Sequence, residues 1–277
     1  MRDLKVREWL EAFELIGKEA QVEASRLWGT SKACKELGIG AGGDRTVLID
    51  KVLEDGLVRR LKAIGNVRLL SEETGEKVFG QPKETVIADP LDGSFNAKMG
   101  IPIFAISLAL IEKGDELGDM SVGYIRNLVN GDVYHAIKGH GAFFNGEPIE
   151  TSTNKEIQVL GMESHPNTVL ALEQHLALVK KDTRIRSLGC ISLDLCHVAR
   201  GIFDALVDVR ERMTRIVDIA AGKVLVEEAG GRISDERGKS IDGTKIEMEN
   251  RLNFIASANK DIHEQVLKTL LENDYIH

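Results

Sequence analysis

The stretch Thr85 to Pro102, TVIADPLDGSFNAKMGIP, ends an apolar run on Asp89 and places Asp92 three residues later, with Pro90 between them and Gly93-Ser94 after. An apolar strand that stops at an aspartate and turns tightly lets two carboxylates and the Leu91 carbonyl converge on one point. If Gly93-Ser94 opens a helical turn, its backbone amides can face an anion. Hard oxygen ligands of this kind suit Mg²⁺, which keeps several waters and shares a substrate phosphate with the protein.

Two more acidic sites stand at comparable ends of apolar segments: Glu72-Glu73 after VRLLS, and Asp218 before IAAGKVLVEEAGG. Four carboxylates brought together must be neutralised, since like charges about 4 Å apart repel by roughly 4 kcal/mol per pair at an effective dielectric near 20. Divalent cations do this. The plain alternative, a solvated D-P-L-D-G surface turn with the glutamates as a cap, stays open on spacing alone.

Other chemistries find less support. Gly38, Gly40 and Gly43 spell G-x-G-x-x-G, but after the helical-looking KACKEL and before a strand, the reverse of a dinucleotide fingerprint. Gly238-Lys239-Ser240 ends like a phosphate-binding loop, yet Ile233 stands where its first glycine belongs. The histidines (135, 140, 165, 175, 197, 263 and 277) include no i, i+4 pair, and there is no G-x-S-x-G.

The elements that must hold these acids alternate. Residues 3–28 suggest an amphipathic helix with Leu4, Leu10, Phe13, Gly17 and Ala20 on its inner face; 38–43 is a glycine loop. TVLID (46–50) reads as a strand and 51–63 as a helix with Leu53, Leu57 and Leu61 inside. Strands are expected at 67–71, 85–89, 103–111, 121–125, 132–137 and 142–144, mostly antiparallel. Beyond about 157, strands (159–162, 205–209, 252–257, with one more before 191) alternate with helices (168–180, 191–200, 216–229, 261–271). This is an α/β (α+β) layered architecture, divided as an N-terminal α+β part (1–155) and a C-terminal α/β part (156–277) of one catalytic unit.

Composition narrows the class. The 277 residues are 43% hydrophobic, ample for a core, and carry a net charge of -8 with 5% aromatics, a poor match for nucleic acid. Cys34, Cys190 and Cys196 form no disulfide framework, the first twenty residues mix acids and bases unlike a secretory leader, and the longest apolar run (101–111) is too short to span a bilayer. A cytoplasmic protein without membrane or nucleic-acid partners is expected.

SEE (71–73), DPLDGS (89–94) and VDIAAGKVLVEEAGG (217–231) resemble, in order and separation, the signatures of the inositol monophosphatase superfamily, which includes fructose-1,6-bisphosphatases and adenosine-bisphosphate phosphatases. The likeness extends through GGDRTVLIDKVLED (42–55), GHGAFFNGEPI (139–149) and LGCISLDLCHVARGIFDALVD (188–208), nearly the whole chain. It implies a layered α-β-α-β-α sandwich, commonly a homodimer, that hydrolyses phosphate monoesters with two or three Mg²⁺, Mn²⁺ being an alternative. It further implies that Glu72, Asp89 and the Leu91 carbonyl hold a first ion and that Asp89, Asp92 and Asp218 hold a second. Glu73, with Asp44 of the glycine loop, would serve a weaker third. Asp50 paired with the Ser94 hydroxyl would orient and deprotonate the attacking water, Glu72 would share in the catalytic set, and the Gly93 and Ser94 amides would bind phosphoryl oxygens. Ser71, Ser94 and Val217 replace a glycine, a threonine and a tryptophan common in the superfamily, without loss of a ligand or hydroxyl.

Substrate choice rests on DVRERMTRIVD (208–218). Glu211 stands seven residues before Asp218, the spacing of a ring-hydroxyl contact in inositol-specific relatives. Arg210, Arg212 and Arg215 suit a second phosphate, or pair with acids on a surface loop. The segment resembles that of archaeal dual-specificity members, which implies fructose 1,6-bisphosphate and inositol 1-phosphate as substrates. Arg184 and Arg186 are secondary candidates. An NADP or phosphoadenosine phosphatase, or a non-catalytic partner protein, are the alternatives.

Overall fold

The computed structural model describes residues 2–39, 45–163, 177–180, 182–209 and 213–272. Helices α1 (Arg2–Leu27) and α2 (Leu48–Ile64) form the first layer. Val6, Trp9, Phe13, Ile16, Ala20 and Ala24 make the buried stripe of α1, at three- and four-residue steps. Of the stripe expected from sequence, Phe13, Gly17 and Ala20 are buried and Leu10 is partly buried; the face also runs through the neighbouring Trp9 and Ile16. Leu53, Leu57 and Leu61 line the inner face of α2 as expected.

The second layer is an eight-stranded sheet. Its strands are β3 (Val67–Ser71), β4 (Gly75–Phe79), β5 (Glu84–Asp92), β6 (Ala105–Ile111), β7 (Met120–Asn127), β8 (Val133–Ile137), β9 (Gly141–Phe144) and β10 (Glu147–Ile149). They are ordered β10-β9-β8-β7-β6-β5-β3-β4, antiparallel throughout except that β3 and β5 run parallel. Alternate residues along β6 serve two cores: Ile106, Leu108 and Leu110 face α1 and α2, whereas Ala105, Ala109 and Ile111 face the middle of the molecule. That two-residue period is the pleat of a sheet covered on both faces.

The middle layer holds α4 (Ile191–Ala199) and α5 (Ile216–Glu228), both apolar on nearly every side, as helices between two sheets must be. The second sheet, order β12-β11-β13-β17-β15, contains β11 (Val159–Met162), β12 (Arg184–Arg186), β13 (Ala205–Asp208), β15 (Arg232–Ser234) and β17 (Phe254–Ser257). Leu206 and Phe254 join the middle core, while Val207 and Ile255 pack outward on α6 (Lys260–Glu272). The layers are therefore α-β-α-β-α. The middle core draws on Leu70 and Ile87 from one half of the chain and Leu206 and Phe254 from the other.

Several expected elements change. TVLID is strand only at Thr46 and Val47: β2 (Arg45–Val47) ends there and α2 begins at Leu48, because Asp50 in its first turn accepts the Val47 amide at 2.9 Å and caps the helix. The β-branched run misled because a local cap outweighed side-chain propensity. KACKEL is not helical: α1 ends at Leu27, the chain turns at 31–34, and β1 (Glu36–Ile39) pairs antiparallel with β2. Strands β4, β10 and β15 were not expected. Most of the glycine loop (40–44) and of the helix expected at 168–180 lies outside the described residues.

Candidate active site and metal centre

β5 does the decisive work. Asp89 lies opposite Ser107 and Asp92 opposite Ala105, so three steps along β5 match two along β6. In a regular strand, residues three apart point to opposite faces. One extra residue at Pro90-Leu91 bulges the strand and returns both carboxylates to one face, the face that carries Ala105 and looks into the middle layer. Pro90 has no N–H to lose from the ladder and fits such a bulge. Gly93 follows at φ 85, where an added Cβ would sit 2.9 Å from the Ile103 carbonyl oxygen. Only glycine suits that position, and the expected helical turn starts there as α3 (Ser94–Met99).

Glu72 arrives at the end of β3 beside β5. Its turn is braced from below by buried Glu54, which accepts hydrogen bonds from Ser71 and Thr74 at 2.6 Å each. The departure from glycine at Ser71 thus gains a specific bond. Asp218 arrives from α5, in its first turn. For that helix to lie close, Gly123 of β7 must have no side chain, because a Cβ there would strike the Ala221 carbonyl.

The result is a cage. One carboxylate oxygen from each of Glu72, Asp89 and Asp218 lies within 4.8 Å of the other two. Burial, then Glu72, Asp92 and Asp218, push the Asp89 carboxyl well above the ordinary carboxylate range against the pull of the Leu91 amide. Burial, Glu72 and Asp92 do the same to Asp218, opposed by Arg215. Burial raises Asp92 too, yet its Oδ2 accepts the Ser192 amide at 2.6 Å and faces the Cys190 thiol at 3.4 Å. Buried, like-charged and all-oxygen, this donor set fits a hard divalent cation.

Against known proteins, residues 9–275 match the family model for the inositol monophosphatase family. The chain belongs to that family. Among its curated relatives are two named fructose-1,6-bisphosphatase/inositol-1-monophosphatase. The one from Methanothermobacter thermautotrophicus is 35% identical over 98% of this chain and 99% of its own length; the one from Thermococcus kodakarensis is 39% identical over 95% and 96%. A crystal structure of an inositol monophosphatase-fructose 1,6 bisphosphatase superposes with TM-score 0.84 at 32% identity, covering 95% of this chain and 99% of that one. A bifunctional NADP phosphatase/NAD kinase from Methanococcus maripaludis is 32% identical over 91% of this chain, which spans 47% of that protein.

Within this family fold, the residues singled out from sequence fall into distinct groups. Glu72, Asp89 and Asp218 come together, with Asp92 acting on both aspartates. Glu73 accepts the Thr46 hydroxyl; burial first, and Glu73 after it, push the Asp50 carboxyl up to about 6 against the pull of the Val47 amide. Asp50 Oδ1 is buried without a hydrogen-bond partner. Asp50 and Ser94 share no hydrogen bond; the Asp50 bond in the structure runs from the Val47 amide to its other oxygen. Leu91 is buried in the bulge, its amide donating to Asp89 at 2.9 Å.

The arginines divide. Arg215 is no surface residue: it is 10% exposed and forms an ion pair with Glu72. Arg184 and Arg186 are exposed on edge strand β12, each donating to a nearby backbone carbonyl (of Asp182 and Ile185), and the structure does not bring them onto the carboxylates. Asp44, Arg210, Glu211 and Arg212 lie outside the described residues.

Sequence reasoning missed Ser192, Cys190 and Asn96. The Asn96 side-chain amide donates to the carbonyls of Ile103 at 2.8 Å and Leu188 at 2.7 Å. It ties α3 to the loop entering α4, so that the α4 N-terminus meets Asp92. The signal was present in LGCIS, which carries the family likeness but no residue type that announces a ligand.

Proposed function

We propose that this chain is a divalent-metal-dependent phosphate monoester hydrolase acting on sugar and polyol phosphates, with fructose 1,6-bisphosphate and inositol 1-phosphate as its substrates. The observation that carries this reading is Asp218, which meets Glu72 and Asp89 within 4.8 Å although it comes from a distant helix. Relatives that match nearly end to end bear those two activities in their names.

Mg²⁺ is the proposed cofactor, with Mn²⁺ able to replace it. Glu72, Asp89 and the Leu91 carbonyl would hold one ion; Asp89, Asp92 and Asp218 a second; Glu73 a weaker third. Bound there, the ions would supply Lewis-acid polarisation of the phosphoryl group and activation of water. The chain supplies the rest. Asp50, buried and raised to about 6, is suited to accept a proton near neutral pH. Ser94 lies one residue past Gly93 at the mouth of α3, where its hydroxyl and the two amides can orient a phosphoryl group. A homodimer is also proposed, with exposed Phe95, Met99 and Ile101 beside the site as apolar surface for a second copy; sedimentation velocity tests it.

The deciding experiment is phosphate release from a panel of esters with and without Mg²⁺. Turnover of fructose 1,6-bisphosphate and inositol 1-phosphate, abolished by chelation, is expected. Preference for NADP would instead favour the second reading, supported by the relative named bifunctional NADP phosphatase/NAD kinase.

A further inference from the structure

Arg215 occupies an unexpected place. It sits at the N-cap of α5 with an extended backbone, in a two-residue strand, β14 (Thr214–Arg215), paired antiparallel with β16 (Arg251–Leu252). That pairing turns its side chain inward, where its guanidinium bonds Glu72 Oε1. Both partners are largely enclosed, at 10% and 17% exposure. The same guanidinium is the cation that opposes the upward push on Asp218, three residues along. A fixed positive charge therefore stands at the edge of the carboxylate cage, on the carboxylate of Glu72, one of the proposed metal ligands.

We infer that Arg215 is a resident cation of the metal centre that balances Glu72 in the metal-free protein and competes with the divalent ion for it, thereby setting metal affinity. The inference rests on the proposed metal centre. Its physical basis is the sign of the charge. An outer partner that accepts a ligand's hydrogen bond raises the ligand's basicity and tightens metal binding. A guanidinium does the reverse: it draws electron density from the carboxylate and repels a second cation at short range through a poorly screened medium. Without metal, the same charge relieves the repulsion among Glu72, Asp89, Asp92 and Asp218, which is strongest when no ion is bound. Arg215 should therefore hold the metal-free fold together while weakening the loaded state relative to it. Removing it should separate these two effects.

The test compares wild type with Arg215→Met and Arg215→Lys after metal stripping, using Mn²⁺ binding by calorimetry and thermal melts with and without Mn²⁺. Arg215→Met is expected to bind Mn²⁺ about tenfold more tightly, since the repulsion between two nearby cations is relieved, and to melt lower than wild type when metal-free, with the deficit largely removed on loading. Arg215→Lys, which keeps the charge on a shorter side chain and cannot form the guanidinium fork, should fall between the two; it carries the test if the methionine variant does not fold. Unchanged or weaker Mn²⁺ affinity in both variants overturns the inference. So does an equal loss of melting temperature with and without Mn²⁺, which is what a merely structural side chain would give, or a change confined to substrate KM. If wild type itself binds no Mn²⁺, the metal-centre reading falls together with this one; if wild type binds and the variants bind alike, only this one falls.

Discussion

Asp89 and Asp92 leave the same bulge, point to the same face and are both nearly inaccessible, at 3% and 8% exposure, yet they live in opposite surroundings. Asp89 looks toward acids: Glu72, Asp92 and Asp218 all raise it, and the Leu91 amide is its named counterweight. Asp92 looks toward donors: its Oδ2 receives the Ser192 amide at 2.6 Å at the N-terminus of α4, where the helix dipole favours a negative charge. The difference teaches that two like residues on one face bear burial unequally. Donors at the head of α4 offset part of it for Asp92, whereas Asp89 gathers acids around it against the pull of the Leu91 amide.

Substituting each aspartate in turn should give the same loss of turnover and unequal changes in stability. The largest effect is on activity: Asp89→Asn and Asp92→Asn should each lower kcat by about 10³-fold or more at saturating Mg²⁺, measured as phosphate release. Near-wild-type turnover of either would break the common assignment. Next comes metal-free stability by denaturant titration. Asp92→Asn weakens a charge-assisted bond but also relieves a burial penalty, so its net change should stay within about 1 kcal/mol, while Asp89→Asn removes a charge repelled by three acids and should stabilise by more, about 1–2 kcal/mol. An equal gain in both would erase the distinction.

Titration sharpens it. A carboxyl raised in the folded state favours folding below its ordinary range, and that advantage is lost as pH rises through the raised value. The gain from Asp89→Asn should therefore be clear at neutral pH and fade as pH falls, when wild-type Asp89 is itself protonated; melts across pH 4–8 would show it. The smallest effect lies outside the site. His263 of α6 is buried between the Ser234 and Ser257 hydroxyls at 2.9 and 3.2 Å, and burial, then Arg232, push it down to about 4. A histidine held neutral supports the fold above its unfolded value of about 6.5 and loses that support as pH falls toward 4. Its share should be about 1 kcal/mol between pH 7 and 5.5, read as the difference in denaturation midpoint between wild type and His263→Gln. A pH slope unchanged in His263→Gln would refute it.

Much of this was legible in the order of residues. The strand ending in Asp89, the turn at Gly93-Ser94 and the paired glutamates after VRLLS are local patterns whose causes lie within a few residues: apolar alternation, a proline without N–H, a glycine at positive φ. The layered fold followed from strands and helices in alternation and from the family signatures. What local reading misjudged was also local in cause. At Asp50 a single carboxylate-to-amide bond converts an expected strand into the first turn of α2, and no propensity of TVLI reveals it.

The sequence by itself determined which groups could bind a hard cation, because carboxylates at the ends of apolar runs are a matter of type and spacing. Tertiary structure alone decided which of them meet, and on what terms. Ser192 reaches Asp92 because Asn96 fastens α3 to the approach of α4. Asp218 reaches Asp89 across the chain because Gly123 lets α5 settle on β7. Arg215 turns from a presumed phosphate clamp into the partner of Glu72 by strand pairing between residues 214–215 and 251–252. Charges act through space rather than along the chain, so the sign of each aspartate's surroundings is a property of packing.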